Sequence, residues 1–484
     1  MLSIHQVSGT IYAFGPFELD SSRRRLLRDG DPLGVSDRHL DVLTRLVAEP
    51  GAVISKDALI NAAWQDVAVT DNSLEQVISA LRRVLGEPWI ETVPRRGYRF
   101  TADVSRRVAR DSDESIEARL APHRAWLDGR AALETLGRTQ AAQARDTFTG
   151  VLAAAPDYAP AHIGMANACA FEFEATRADE APDRAALTLA LAHARDACRL
   201  DPESAEPWAT LGFVLHLMRE PQHAIAAMQR AIVLEPDNWR HHLRLSVVSW
   251  GEERLRSAQR ALALLPGLAL AHWLVATVHV ARQSLDRAAR ELELGAAAQD
   301  AQHESARFSA VALHWLLGLV SLAQGDEARA RAEFSRELEF EASGHVYARE
   351  CCANTWYAIG VLELRHGRRE EAAAAFSHAL ARVSGHVLAL AGLHALGRCD
   401  APQFEARVSA LEALGLIVEP ASARAAALSL SGRPAEAADL VAAALQRAPA
   451  GSAGWTIPID PLLLASAHPD EWRAVLAQLR SRAA

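Results

Sequence analysis

Residues 69–100, VTDNSLEQVISALRRVLGEPWIETVPRRGYRF, read as one helix followed by one hairpin, and the N-terminal part of the chain is arranged around them. Leu74, Ile78, Leu81 and Leu85 recur every three or four residues, an apolar stripe at the helical period that belongs against a core. Asn72, Gln76, Ser79 and Arg83 share the opposite face, with Ala80 beside them. That face is small and uncrowded, so another molecule can approach it closely. Thr70 and Asp71 supply N-cap chemistry, and the helix start leaves backbone N–H groups for a phosphate. Gly86 and Pro88 end the helix. Residues 90–93 and 97–100 then read as two short strands, and Pro94, Arg95, Arg96 and Gly97 form a basic hairpin tip suited to a polyanion.

Further marks lie upstream: Phe14-Gly15-Pro16-Phe17-Glu18-Leu19-Asp20, the Asp29-Gly30 turn, Pro50-Gly51, Ser55-Lys56-Asp57-Ala58-Leu59 and Trp64. With 73–85 and 92–100 they make residues 12–104 resemble the winged-helix DNA-binding domain of the OmpR/PhoB family, and most closely its ToxR and CadC type. The resemblance implies that the helix over 71–85 enters the major groove of double-stranded DNA, while the hairpin tip reaches the adjacent minor groove or its phosphates. It assigns DNA contact to Asn72, Ser73, Gln76, Ser79, Ala80 and Arg83 on the helix, and to Thr92, Arg95, Arg96 and Gly97 on the hairpin. Gln76 is suited to bond N6 and N7 of adenine together. Where many relatives carry a basic residue in mid-helix this chain has Ser79 and Ala80, so fewer side chains read bases directly. In relatives the loop equivalent to 64–69 can touch RNA polymerase.

The chain has 484 residues, half of them apolar, enough for two or three domains with sizeable cores. Its formal charge of −9 is not that of a general nucleic-acid coat. Residues 1–108 hold fourteen basic and fourteen acidic residues, which leaves 37 of the 51 basic and 46 of the 60 acidic residues to the remainder. Within the first part, Arg82, Arg83, Arg95, Arg96 and Arg99 gather on the expected DNA side. The five cysteines show no metal or disulfide spacing, and a cytoplasmic setting is expected. Cys351-Cys352 reads as a pair of small apolar residues in an alanine-rich helix. The longest apolar stretch, 311–323, is interrupted by His314 and too short to span a bilayer. No membrane segment is expected, a departure from ToxR and CadC proper.

In chain order, residues 12–20, 25–28 and a strand after Asp29-Gly30 suggest a small antiparallel sheet. Ser36 caps a helix that buries Leu40, Leu43 and Val47, and Ser55 caps a second carrying Leu59, Ile60 and Ala63. Residues 10–104 then form the DNA-binding domain, and 105–118, rich in Arg and Asp, read as a linker.

From 119 to 459 the dominant signal is repetition. Ala155-Pro156-Asp157, Leu200-Asp201-Pro202, Leu234-Glu235-Pro236 and Leu265-Pro266 each close a helix–turn–helix unit. Pro202 and Pro236 are separated by the period of a tetratricopeptide repeat, and Trp208, Leu211-Gly212, Ala224 and Ala231 fill its slots. Similar units occur at His314-Leu317-Gly318 with Phe334, and at Trp356-Ile359-Gly360 with Phe376. Roughly seven to nine helical hairpins are expected. Residues 460–484 read as a capping segment with Trp472, Val475, Leu476 and Leu479 buried. The fold class is therefore mainly α: a winged helix-turn-helix of α+β type followed by an all-α solenoid.

Aligning the slots puts Trp273, Trp315 and Tyr357 at one place in successive first helices, a place that faces the concave groove. Phe213, His216 and Arg365 join them. This ladder is a candidate site for a protein, peptide or small-molecule effector, with packing between hairpins as the alternative. No catalytic machinery is visible. Lys56, the only lysine, lacks a glycine-rich phosphate loop, and Gly-x-Ser-x-Gly and Ser-x-x-Lys patterns are missing. His241-His242 and the other histidines lack carboxylate or cysteine companions at ligand spacing, so neither metal nor cofactor is expected. The sequence thus describes a one-component transcriptional regulator whose repeats sense an effector or partner or build a dimer. The alternative is an interaction scaffold whose winged helix contacts protein.

Overall fold

A computed structural model describes residues 10–21, 23–64, 71–86, 88–108, 113–179, 181–302 and 310–484. Four short strands, β1 (Thr10–Phe14), β2 (Phe17–Asp20), β3 (Arg25–Arg28) and β4 (Asp31–Leu33), form the antiparallel meander expected near the N-terminus. Helices α1 (Asp37–Ala48), α2 (Lys56–Ala63) and α3 (Asp71–Leu85) follow, with β5 (Val53–Ile54) between the first two. A second sheet is built from β5, β6 (Ile90–Val93) and β7 (Gly97–Phe100), with β7 central. The two sheets are locked by aromatic rings. Phe14 and Phe17 of the first sheet each meet Trp89 edge-on at 5.8 and 5.7 Å, and Phe14 meets Phe100 at 5.1 Å.

Leu40, Leu43 and Val47 of α1 are buried as read, and the Ser55 hydroxyl accepts from the Ala58 N–H at 3.2 Å. Ser36 departs from expectation: its hydroxyl bonds the His39 ring at 2.5 Å and makes no hydrogen bond to the helix backbone. The linker also departs. Residues 105–108 form β8 (Ser105–Val108), which pairs antiparallel with β1 and extends the first sheet to five strands. Arg106 lies over the Tyr12 ring and Arg107 pairs with Glu18, so the arginines that look like solvated linker occupy the two faces of an edge strand.

Beyond it, eighteen helices pair into nine antiparallel hairpins among the described residues. They are α4 (Asp113–Glu134) with α5 (Arg138–Ala154), α6 (Ala159–Thr176) with α7 (Arg184–Leu200), α8 (Ala205–Leu217) with α9 (Pro221–Leu234), and α10 (Trp239–Val248) with α11 (Gly251–Leu264). Next come α12 (Ala269–Ala281) with α13 (Leu285–Gln302), α14 (Leu313–Ala323) with α15 (Glu327–Glu339), and α16 (Ala348–Arg365) with α17 (Arg369–Arg382). The series ends with α18 (Val387–Ala395) and α19 (Ala401–Ala413), then α20 (Val418–Leu430) and α21 (Pro434–Arg447). Each close approach uses a small residue. A Cβ at Gly318 would lie 2.4 Å from the Phe334 ring, and one at Gly360 would lie 2.6 Å from Phe376. The aromatic of one helix therefore rests on the bare Cα of its partner.

The solenoid bends until the segment leading into α16 meets the first two hairpins. Val346 N–H donates to the Leu136 carbonyl at 2.8 Å, and Arg138 N–H to the Gly344 carbonyl at 3.2 Å. Arg177, the residue that follows α6, pairs with Glu350 of α16 at 2.9 Å, and Arg349 pairs with Asp179 at 2.5 Å. Arg38 of α1 reaches the solenoid and pairs with Glu235.

Residues 460–484 were expected to cap the last hairpin. Trp472, Val475 and Leu479 are buried and Leu476 is half-buried, as the stripe requires, and they share one core cluster with α20 and α21, where Arg482 donates to the Leu445 and Ala448 carbonyls. The chain after α21 turns back across the first helices of the hairpins. Trp455 inserts edge-on between Trp273 and Trp315, at 6.0 and 6.4 Å between rings. Buried Asp460 accepts from the Tyr357 hydroxyl at 3.0 Å and from the Leu462 and Leu463 N–H groups at 3.0 and 3.1 Å. Arg365 donates to the Pro461 carbonyl at 3.0 Å. The last helix, α22 (Arg473–Arg482), ends against α12, where Arg282 donates to the Ala483 carbonyl and Gln283 to the Leu476 carbonyl.

This return segment depends on Asp460. Asp460→Ala leaves the Tyr357 hydroxyl and two backbone N–H groups buried without acceptors, at a cost of about 1–3 kcal/mol. The thermal midpoint of the full chain should fall, and limited proteolysis should open near Gly451 and Gly454. Asp460→Asn keeps the acceptor oxygen and should lose much less. Equal midpoints and equal protease resistance in parent and Asp460→Ala would show that the carboxylate does not hold the segment.

Candidate nucleic-acid interface

Helix α3 lies on the domain with Leu74, Val77, Ile78, Leu81 and Leu85 inward. Val77 adds to the stripe read from sequence. Glu75, Gln76, Ser79 and Arg83 are exposed and Ala80 is half-buried, which leaves a continuous polar face with one shallow step. Ser73 does not belong to that face. It is 2% exposed, and its hydroxyl has no hydrogen-bond partner among the described residues. One position before Leu74 on a helix wrapped by core on a wide arc, it points inward. The side chain of Asn72, the cap at Thr70 and Asp71, and loop residues 65–70 with their expected polymerase contact lie outside the described residues. Trp64, at the loop's start, is buried.

The hairpin between β6 and β7 turns on two unusual residues. Arg96 N–H donates to the Val93 carbonyl at 3.0 Å, closing a tight turn with Pro94 and Arg95 at its centre. Arg95 takes φ +62°, the left-handed region, in a place where such turns favour Gly or Asn. An L-residue there carries strain of about 1–2 kcal/mol. Gly97, expected at the contact surface, is buried instead. At φ +133° its Cα faces the Ile54 carbonyl, where a Cβ would stand 1.9 Å from the oxygen. It lets β7 pack on β5 and shapes the tip from beneath.

Five arginines were expected on this side, and two of them are committed internally. Arg82 donates through Nε and Nη2 to the Ile90 carbonyl at 2.9 and 2.7 Å, and to the Thr92 hydroxyl at 2.8 Å. It braces α3 against β6. Thr92 therefore stays exposed with its hydroxyl already engaged. Arg99 pairs across the sheet with Glu91 at 2.7 Å. Arg83, Arg95 and Arg96 form no ion pair among the described residues. Lys56 of α2 pairs with Glu75 at 2.9 Å, linking α2 to the outward side of α3.

The structure changes the reading of the second candidate site. Trp273, Trp315 and Tyr357 do share one slot on successive first helices, but the concave side they face is filled by Trp455 and Asp460. Trp315 is 9% and Tyr357 4% exposed, and both belong to core clusters. Burial, reinforced by the Asp460 carboxylate, pushes the Tyr357 hydroxyl well above its usual range. Arg365 is bound to Pro461. Phe213 packs on Phe171 at 6.3 Å, apart from the three. His216 is half-buried near Arg254 and Arg177, and burial followed by those charges holds it down to about 4. The six residues thus do not converge on one open groove. Trp455 and Asp460 went unread because residues 450–463 carry no repeat signature.

Histidines also gain partners that local spacing hides. His272 meets Glu291 and His314 meets Glu333, each at 2.7 Å and each in the same two slots of its hairpin. His241 bonds Glu235 at 3.1 Å, and burial holds it down to about 3, so it is neutral there.

Residues 30–100 match the family described as transcriptional regulatory protein, C terminal. The transcriptional regulator HilA of Salmonella typhimurium is 34% identical over 102 residues, 20% of this chain and 18% of HilA. The transcriptional regulatory protein CutR of Streptomyces coelicolor is 38% identical over 85 residues, 17% of this chain and 39% of CutR. The solved DNA-binding domain of E. coli CadC is 30% identical, covering 20% of this chain and 98% of that domain at a TM-score of 0.19. The chain therefore spans well under half the length of these two regulators. No helix among the described residues is long and apolar enough to cross a membrane. Residues 30–100 are a transcriptional-regulator DNA-binding domain of the OmpR/PhoB type, carried here on a solenoid of tetratricopeptide-like helical hairpins.

Proposed function

We propose that the protein is a sequence-specific one-component transcriptional regulator. Residues 10–108 bind double-stranded DNA, and the solenoid couples that binding to an effector, a partner or a second copy. The observation that carries this reading is the sorting of arginines. Arg82 and Arg99 are spent on internal bonds, while Arg83, Arg95 and Arg96 stand exposed on the rim shared by α3 and the hairpin tip. Gln76, Ser79, Ala80 and Arg83 face the major groove, with Asn72 at the helix start beside them. Arg95 and Arg96 reach phosphates or the minor groove, where sequence information is small.

For the solenoid, effector access to the Trp273–Trp315–Tyr357 ladder requires that residues 455–463 leave it. The occupant that competes best has the same chemistry as the segment it displaces, a peptide with an indole and, five residues on, a carboxylate. A scaffold reading is favoured only by the neutral balance of residues 1–108. The two part on salt: a DNA binder loses affinity steeply as salt rises, because binding releases counterions, and a scaffold shifts no DNA at any salt.

Three substitutions test the DNA assignment on the full chain. Arg96→Ala should weaken specific and random duplexes by similar factors and reduce the slope of log affinity against log salt by about 0.9. An unchanged slope removes Arg96 from the phosphate contacts. Gln76→Ala should relax selection at one base pair, by ~1–3 kcal/mol of lost discrimination, with little change for random DNA. If selection from a random library returns the parental site, Gln76 does not read a base. Arg95→Gly should relieve the left-handed strain and raise the urea midpoint by the equivalent of up to about 1 kcal/mol, while DNA affinity falls. A variant that is both more stable and undiminished in binding would show that the strained arginine has no part in recognition.

A further inference from the structure

The second hairpin, α6 with α7, holds a group of side chains that DNA binding does not use. His162 on α6, and His193 with Asp196 on α7, bring three possible ligand atoms within 4.8 Å of one another. Among the described residues this is the one such group of three. His193 and Asp196 are three apart and share a helix face, and His162 comes from the facing helix.

The hydrogen bonds fix which atoms are available. His162 Nε2 lies 2.8 Å from the Pro156 carbonyl oxygen. A carbonyl only accepts, so Nε2 carries the ring proton and Nδ1 of the neutral ring presents a bare lone pair. That lone pair points at His193 Nδ1, 2.9 Å away. A backbone carbonyl holding one ring nitrogen while the other faces a ligand position is how metal-bound histidines are oriented. The same slot two hairpins later separates packing from ligation. His242 Nε2 lies 2.7 Å from the Pro236 carbonyl, in the same relation as His162 to Pro156, and Trp208 donates likewise to the Pro202 carbonyl at 2.9 Å. The carbonyl contact is thus part of the repeat. A second imidazole and a carboxylate gathered at the free nitrogen are not.

We propose that His162 Nδ1, His193 Nδ1 and the Asp196 carboxylate form a binding site for a divalent transition cation of the zinc class, with the fourth position open to water. Two imidazoles and one carboxylate suit zinc, cobalt or nickel better than magnesium or calcium, which want oxygen. Zinc–nitrogen bonds of ~2.0–2.1 Å in a tetrahedral site place two ligand nitrogens about 3.3 Å apart. The observed contact need open by only a few tenths of an ångström. Asp196 also lies 3.3 Å from Arg199, an exposed neighbour that the cation displaces as partner. His162 is buried, whereas His193 and Asp196 are half-buried, so the cation enters from the α7 side. Occupied, the site ties α6 to α7.

The test uses the full chain, freed of any tag and stripped with chelator. Zinc is titrated by calorimetry against a competing chelator, and Co²⁺ is followed by its visible absorption. The proposal expects one site per chain for Zn²⁺, and a Co²⁺ spectrum of tetrahedral intensity. His193→Ala and Asp196→Asn, both at half-buried positions, should each weaken Zn²⁺ at least tenfold. His223→Ala, which removes an exposed histidine paired with Glu220, should change nothing. Should Zn²⁺ bind no tighter than to scattered surface histidines, or bind His193→Ala as well as the parent, the three residues are a histidine–histidine hydrogen bond with a neighbouring carboxylate and no metal site.

Discussion

The close approach of paired helices at glycine governs most of this molecule. At Gly318 and Gly360 an aromatic ring occupies the space a side chain would take, and that fit sets how closely the two helices of a hairpin pack. Stacked over the six hairpins from α4 to α15, the chain brings residues 344–350 back to residues 136–138 and 175–179, where backbone hydrogen bonds and arginine–carboxylate pairs join them. A solenoid that returns on itself encloses a narrow inner surface. One short segment of turns from the same chain is enough to cover its aromatic slots, and residues 455–463 do so.

Local pattern carried a great deal of this. The apolar stripe of α3, the tight turn at Pro94, the slot glycines and the common register of Trp273, Trp315 and Tyr357 are all periodic or nearest-neighbour features, and each was readable. What escaped was long range. Strand β8 looks like linker because its partner β1 lies some ninety residues away. Ser73 looks like a contact residue because resemblance runs through it, yet its neighbours place it inward. Glu337 occupies a slot where the best-preserved repeat has Ala231, and it accepts from the Ala312 and Trp315 N–H groups at the start of α14. No spacing rule announces a buried carboxylate that caps a neighbouring helix. The histidine–carboxylate pairs are hidden for the same reason, since their members stand on different helices.

The side proposed to face DNA shows how a domain of no net charge presents a basic surface. Of its arginines, those near a carbonyl or carboxylate of their own fold are consumed in fixing α3 against β6 and β6 against β7. The rest are displayed on the geometry so fixed. Arg95 is held outward at the cost of an unfavourable backbone region. Removing the braces would disturb the exposed arginines without touching them, and net charge alone cannot distinguish the two groups.

The return segment also sets an order on the chain's biogenesis. Residues 455–463 leave the ribosome after all nine hairpins, so during synthesis Trp273, Trp315 and Tyr357 face solvent on helices that are otherwise able to fold. The join between residues 136–138 and 344–346 likewise waits for some two hundred residues of chain. Short-range hairpins form early and at little entropic cost, while these two contacts come late. A nascent or truncated chain therefore carries an uncovered aromatic strip, the kind of surface that chaperones hold and proteases find. Docking of Trp455 between Trp273 and Trp315 ends that exposure.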